Sequence, residues 1–182
     1  MKIVVAGTGA SGALYLQRLL DMFDENGGIE VHLVLTDCAR EVIATELGEL
    51  RTTAVHRTYG NSTLTAPFAS GSAIFDAMVV IPCSMGMLGR IAHGVSDSLI
   101  ARAADVFLKE RRKLIVAPRE TPWNLIHARN IVTLIEAGAT VLPASPSFYL
   151  RPQTVADVAN TVVWRIFDQL GISVPNAQRW GH

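Results

Sequence analysis

The apolar, largely β-branched run Lys2 to Ala6 stops at Gly7-Thr8-Gly9-Ala10-Ser11-Gly12, and leucines at helical spacing (Leu14, Leu16, Leu19, Leu20, Phe23) begin directly afterwards. Strand, glycine-rich turn and helix in this order constrain the fold more than any other stretch of the chain. The turn spells GxGxxG. Glycines let the backbone approach an anion, the helix that follows presents free N–H groups, and Ser11 adds a hydroxyl donor. A plain tight connection would use the same letters. Its place after the first strand favours a phosphate cradle.

The unit repeats. Glu30 to Leu35, Met78 to Ile81, Leu114 to Ala117 and Thr140 to Leu142 are further apolar runs, each followed by helical periodicity. Asp37 stands at an N-cap position ahead of the helical Ala39 to Leu47. Apolar runs alternating with amphipathic helices predict parallel strands joined by crossovers and covered on both faces. The expected architecture is therefore α/β, a Rossmann-like doubly wound parallel sheet in a single domain over residues 1–182. Residues 51 to 72, rich in Gly, Pro, Ser and Thr, read as a long irregular connection of the kind that often carries function. Residues 170–182 read as an extended tail whose isolated Trp180 needs a surface, either on its own chain or on a neighbouring subunit.

Composition excludes several classes. Sixteen Lys plus Arg balance sixteen Asp plus Glu, so no global charge argues for nucleic acid or an anionic membrane surface. The opening MKIVVAG is too short for a signal-peptide core or a membrane span, which predicts a cytoplasmic protein. The two cysteines, Cys38 and Cys83, have neither disulfide-scaffold nor zinc spacing. His93 and His127 lack metal or triad partners in sequence and read as structural, so no metal ligand is assigned.

In open parallel sheets ligands sit beyond the carboxyl ends of the strands, so residues directly after each run are the informative ones. After the second run, Asp37 is either a ribose-binding acid or a helix N-cap, and Thr36 offers a hydroxyl; the local sequence leaves both open. After the third, Pro82-Cys83-Ser84-Met85-Gly86-Met87 forms a second small-residue turn that opens a helix. Met85 and Met87 read as packing, and Cys83 as a small core residue. After the fourth come Arg119, Glu120, Pro122 at a presumed helix start, and Trp123. After the fifth, Ser147-Phe148-Tyr149 precedes a last helix bearing Trp164 and Arg165, and Tyr149 with Arg165 could bind a second phosphate.

These segments together resemble the UbiX family of flavin prenyltransferases. The likeness rests on GTGASG, ATE at 44–46, ASGS at 69–72, PCSMG, RAADVFLKERR, APRETPW, PSFY, Arg165 and RWG at 179–181, and RAADV.LKERR followed by PRE.P and FY is the specific part. It implies a flavoprotein that attaches a dimethylallyl group, taken from dimethylallyl phosphate or pyrophosphate, to N5 and C6 of reduced FMN. It also implies a homo-oligomer, dodecamer-like, whose prenylated FMN serves a UbiD-type decarboxylase. Carried over by position, Gly9, Ala10, Ser11, Thr36, Ser84, Met85, Gly86, Met87 and Arg119 would hold FMN. Lys109, Arg119, Tyr149 and Arg165, with Ser11, would hold the prenyl phosphate, some from adjacent subunits. Glu46 and Glu120 match acids near the reaction centre, where a carboxylate relays a proton to or from the leaving phosphate. Ionising an allylic phosphate requires its anion to be neutralised by Lys and Arg, while π surfaces shelter the cation, and no metal is then required. Leu64 stands where some members carry an aromatic residue.

Three rival readings stay in view. An NAD(P)-dependent oxidoreductase is supported by GxGxxG and Asp37 but leaves the PCSMG, RETP and SFY turns without a task. A flavin-dependent peptidyl-cysteine decarboxylase would carry a PxMNxxMW segment, and nothing after Pro118 or Pro122 matches it. A non-catalytic FMN carrier would retain every binding residue.

Overall fold

The computed structural model of the chain describes residues 1–175 together with 177, 179 and 181. Six strands form one all-parallel sheet: β1 (Lys2–Gly7), β2 (Glu30–Leu35), β3 (Val55–Gly60), β4 (Ala77–Cys83), β5 (Lys113–Pro118) and β6 (Thr140–Val141), in the order β3-β2-β1-β4-β5-β6. Six helices cover it: α1 (Ala13–Asn26), α2 (Asp37–Glu46), α3 (Met85–Ala92), α4 (Leu99–Lys109), α5 (Leu125–Glu136) and α6 (Val155–Leu170). The doubly wound expectation holds. Every residue of β4 is buried, as a central parallel strand requires, because helices close both faces.

Two cores follow from strand alternation. Ile3, Val5, Val79 and Ile115 point to one face, where they pack with Leu16, Leu19 and Phe23 of α1 and Ile166 and Phe167 of α6. Val4, Met78, Val80 and Val116 point to the other, against α3 and α4. The Phe23 and Phe167 rings stand 4.9 Å apart and tie α1 to α6. Truncating either to Ala would cost about 3–5 kcal/mol.

The structure departs from the sequence reading in four places. Residues 51–72 are not irregular throughout: Val55–Gly60 pairs with β2 as an edge strand. Three of its residues, His56, Arg57 and Thr58, are exposed, so it carries no apolar run. The N-cap of α2 is Thr36, whose side chain accepts from the Ala39 N–H, while Asp37 lies in the first turn. Pro122 follows a cis Thr121–Pro122 bond and starts no helix; α5 begins at Leu125 behind Asn124. Leu170 closes α6 instead of opening a tail, and Ile172 and Val174 pack against the chain's own core. Trp180, expected to bury against some surface, lies outside the described residues. Among the described residues no helix is long and apolar enough to cross a membrane.

Candidate active site

The chain builds β1, β2 and β3 outward in one direction, then returns to set β4 beside β1. Ligands in such sheets bind where the order reverses, beyond the strand ends. Here that point joins the Gly7–Gly12 turn to the Cys83–Met87 turn. Thr8 stitches them together: its N–H (3.3 Å) and hydroxyl (2.7 Å) both donate to the Pro82 carbonyl, and the Ser84 N–H donates to Thr8 Oγ1 at 2.7 Å. The next strand ends are tied in the same way, Arg119 N–H to the Cys83 carbonyl (3.1 Å) and Ala144 N–H to the Pro118 carbonyl (3.0 Å). Sequence reasoning overlooked Thr8. Its only signal was a hydroxyl between two glycines.

A cleft of about 390 Å³ opens above β1, β2 and β4, lined by Thr8, Gly9, Thr36, Ser84, Gly86 and Arg90 among others. Its donors suit the phosphate and heteroatoms of a flavin nucleotide. Ser84 caps α3 by accepting from the Met87 N–H, which leaves the first N–H groups of that helix without intrahelical acceptors. The Thr36 hydroxyl, accepting from Ala39, keeps its own proton to donate. Gly9 admits no side chain, since a Cβ there would lie 2.5 Å from Cys38 Cβ. Met85 and Met87 are buried packing residues, as expected. Burial pushes the Cys83 thiol far above its ordinary range and removes it as a nucleophile.

A second cleft, of about 450 Å³, lies above β5 and β6 and is lined by Arg119, Glu120, Trp123, Pro143 and Ser145. The Gly7–Gly12 turn runs on into the amino end of α1. The Glu46 carboxylate, from the last turn of α2, accepts there from Gly12 N–H (2.9 Å) and Ala13 N–H (2.7 Å). Burial alone would raise the Glu46 pKa. The Ser11 hydroxyl, those two N–H groups and the Arg119 charge outweigh it and hold the carboxyl below its ordinary range. Burial raises the Tyr15 phenol, and the Arg119 charge draws it partly back. Ser11 and Arg119 thus both bear electrostatically on Glu46. The Glu120 carboxylate is exposed and accepts from the Thr121 N–H at 3.0 Å.

Three expected residues join this group less directly or not at all. Tyr149 is exposed in the β6–α6 connection that also supplies Pro143 and Ser145. Lys109 pairs with Glu110 at the end of α4, ahead of the start of β5, whereas Arg119 follows the end of β5. Six strand residues separate those ends by about 17 Å. Arg165 pairs with Asp168 (2.9 Å), one turn before Gln169, whose carbonyl accepts from Lys113 at the start of β5. Lys109 and Arg165 each pair instead with an acid on or next to their own helix, Glu110 and Asp168. His93 and His127 are structural as read: His93 bonds Asn130 Oδ1 at 3.0 Å, and His127 completes the α5 capping box.

Residues 1–166 match the Flavoprotein family. The chain is 46% identical to a flavin prenyltransferase UbiX of Methanocaldococcus jannaschii, over all of this chain and 99% of that one. It belongs to the UbiX flavin prenyltransferase family. The same backbone appears in a dodecameric FMN-dependent UbiX-like decarboxylase from Escherichia coli O157:H7, with TM-score 0.96, 39% identity and full coverage of both chains. A UbiX protein solved with FMN and dimethylallyl pyrophosphate superposes with TM-score 0.95 at 36% identity, covering 100% of this chain and 97% of that one.

Proposed function

We propose that this chain transfers a dimethylallyl group from dimethylallyl phosphate or pyrophosphate to N5 and C6 of reduced FMN. The observation that carries the reading is the rim that Thr8 stitches between the turns after β1 and β4, opening on a cleft lined by Thr36, Ser84 and Gly86, together with the cleft that holds Arg119, Glu120 and Trp123. Reduced FMN supplies the nucleophile. Gly9, Ala10, Ser11, Thr36, Arg119 and Ser84 to Met87 hold it. Arg119 also offsets charge on the leaving phosphate, and the exposed Glu120 carboxylate takes or returns a proton. Trp123, on the wall of the second cleft, offers a π surface to an allylic cation.

Lys109, Tyr149 and Arg165 complete the phosphate site from adjacent copies of the chain. The apolar exterior supports an assembly: Leu125, Ile126, Val132 and Ile135 of α5 and Phe148 are each more than half exposed. With side-chain cations neutralising the phosphate, the reaction needs no metal, and turnover persists in chelator. A UbiX-like relative is dodecameric, and we assign a dodecamer-like homo-oligomer here. The product leaves as prenylated FMN for a UbiD-type decarboxylase, in the cytoplasm.

The decisive experiment incubates the protein anaerobically with reduced FMN and either donor and looks for a flavin heavier by one prenyl unit. No such mass with both donors defeats the proposal and leaves a flavin carrier.

A further inference from the structure

At the opposite end of the sheet, Glu30, His32 and His56 bring one carboxylate oxygen and two imidazole nitrogens within 4.8 Å of one another. We propose that these three side chains form a divalent transition-metal site, of the class that takes Zn²⁺, and that it clamps edge strand β3 to β2.

The local backbone builds the cluster. Glu30 and His32 are two apart on β2 and so share a face. On β3, Val55 pairs with Val31 and Arg57 with His32, so His56 is an extra residue at a β-bulge. Regular alternation would send Arg57 to the face opposite His56. The bulge lets Arg57 lie over the Tyr59 ring, 5.0 Å from its centroid, while His56 still faces His32 at a ring separation of 5.3 Å. Bulges at sheet edges commonly re-aim side chains in this way.

The chemistry of the set fits. Two imidazoles and one carboxylate are the ligands of zinc sites that keep one position for water. His32 is 5% exposed, and its Nδ1 lies 3.0 Å from the Tyr59 hydroxyl, the outer partner that fixes the ring of a metal-bound histidine. Phe75 packs against the ring at 4.9 Å. Nε2, 2.8 Å from Glu30 Oε1, is the atom left to bind. A tetrahedral ion about 2.0–2.2 Å from each ligand needs ligand separations of about 3.3–3.6 Å. Small rotations of the exposed His56 and half-exposed Glu30 supply them. Metal binding at His32 Nε2 places the ring's single proton on Nδ1, facing the Tyr59 oxygen, and displaces Lys2 Nζ, which now stands 3.4 Å from Glu30.

The test uses the full, tag-free chain freed of metal by chelator and titrated with ZnCl₂ by calorimetry. Saturable binding of one Zn²⁺ per chain is expected, with a raised unfolding temperature and, for Co²⁺, visible d–d absorption. His56→Ala and Glu30→Gln, both at the surface, should each lower the association constant at least tenfold and abolish the Co²⁺ band while FMN binding stays unchanged. No saturable site, or equal binding by His56→Ala, overturns the proposal.

Discussion

The Ser84 N–H donates to the Thr8 hydroxyl at 2.7 Å, so a single buried side chain joins the two glycine-rich turns into one rim. Thr8→Val keeps the shape and leaves the Ser84 N–H unsatisfied. The expected cost is about 1–3 kcal/mol in denaturant unfolding, with weaker FMN binding in fluorescence titration. Thr8→Ser should behave as wild type. A valine variant with unchanged affinity would separate the rim from the flavin.

Gly9 should not accept alanine. Its Cβ would meet Cys38 Cβ at 2.5 Å, and relief requires α2 to move away from the cradle. Gly9→Ala should lose about 1–3 kcal/mol of stability. Adding Cys38→Gly removes the obstructing atom, so the pair should be less destabilised than the sum of the single changes. Simple additivity of the measured values would show that the clash is absorbed elsewhere.

Glu46 gives acid stability a predictable sign. Its carboxyl titrates below the ordinary 4.5 in the folded chain, so its contribution is complete above that value and fades as pH falls through the folded pKa. Glu46→Gln should flatten the acid limb of a stability-against-pH curve while losing about 0.5–2 kcal/mol of helix capping at neutral pH. A variant with the wild-type acid limb would remove the carboxylate from that role.

Glu120 is exposed and its carboxylate accepts from the neighbouring Thr121 N–H, so it contributes little to the fold. Glu120→Gln should retain FMN and thermal stability yet lose prenyl transfer. Unchanged turnover, followed by product mass, would strike it from the mechanism.

Lys109→Ala should likewise keep the fold and FMN but lose turnover. Mixing it with Glu120→Gln, after dissociation and reassembly, should restore part of the activity, because some sites then receive an intact residue from each parent. No recovery in a confirmed mixed assembly would place both residues in the same chain's site.

Much of this was legible in the sequence because four strands, β1, β2, β4 and β5, are buried and announce themselves as apolar runs. β3 did not, since an edge strand exposing His56, Arg57 and Thr58 has no need of one. The turns after β1 and β4 were readable as strand-to-helix connections from glycine and serine alone, but the amides that open α1, expected to stand free, meet the Glu46 carboxylate. The Thr8 stitch and the reach of Glu46 to Gly12 were not, because they join residues 76 and 34 positions apart and depend on which strands become neighbours. Thr36 against Asp37 as the α2 cap was a choice between two good capping residues one position apart, which only backbone geometry resolves.

The distance between Lys109 and Arg119 along β5 changes what exposure means for this chain. A lysine paired with its sequence neighbour at a helix end has every mark of surface decoration. In the assembly proposed above it would serve a neighbouring copy's site instead. Substitutions there would leave the monomer's fold untouched and be felt only next door, so tolerance measured by folding and tolerance measured by turnover should part company at that position.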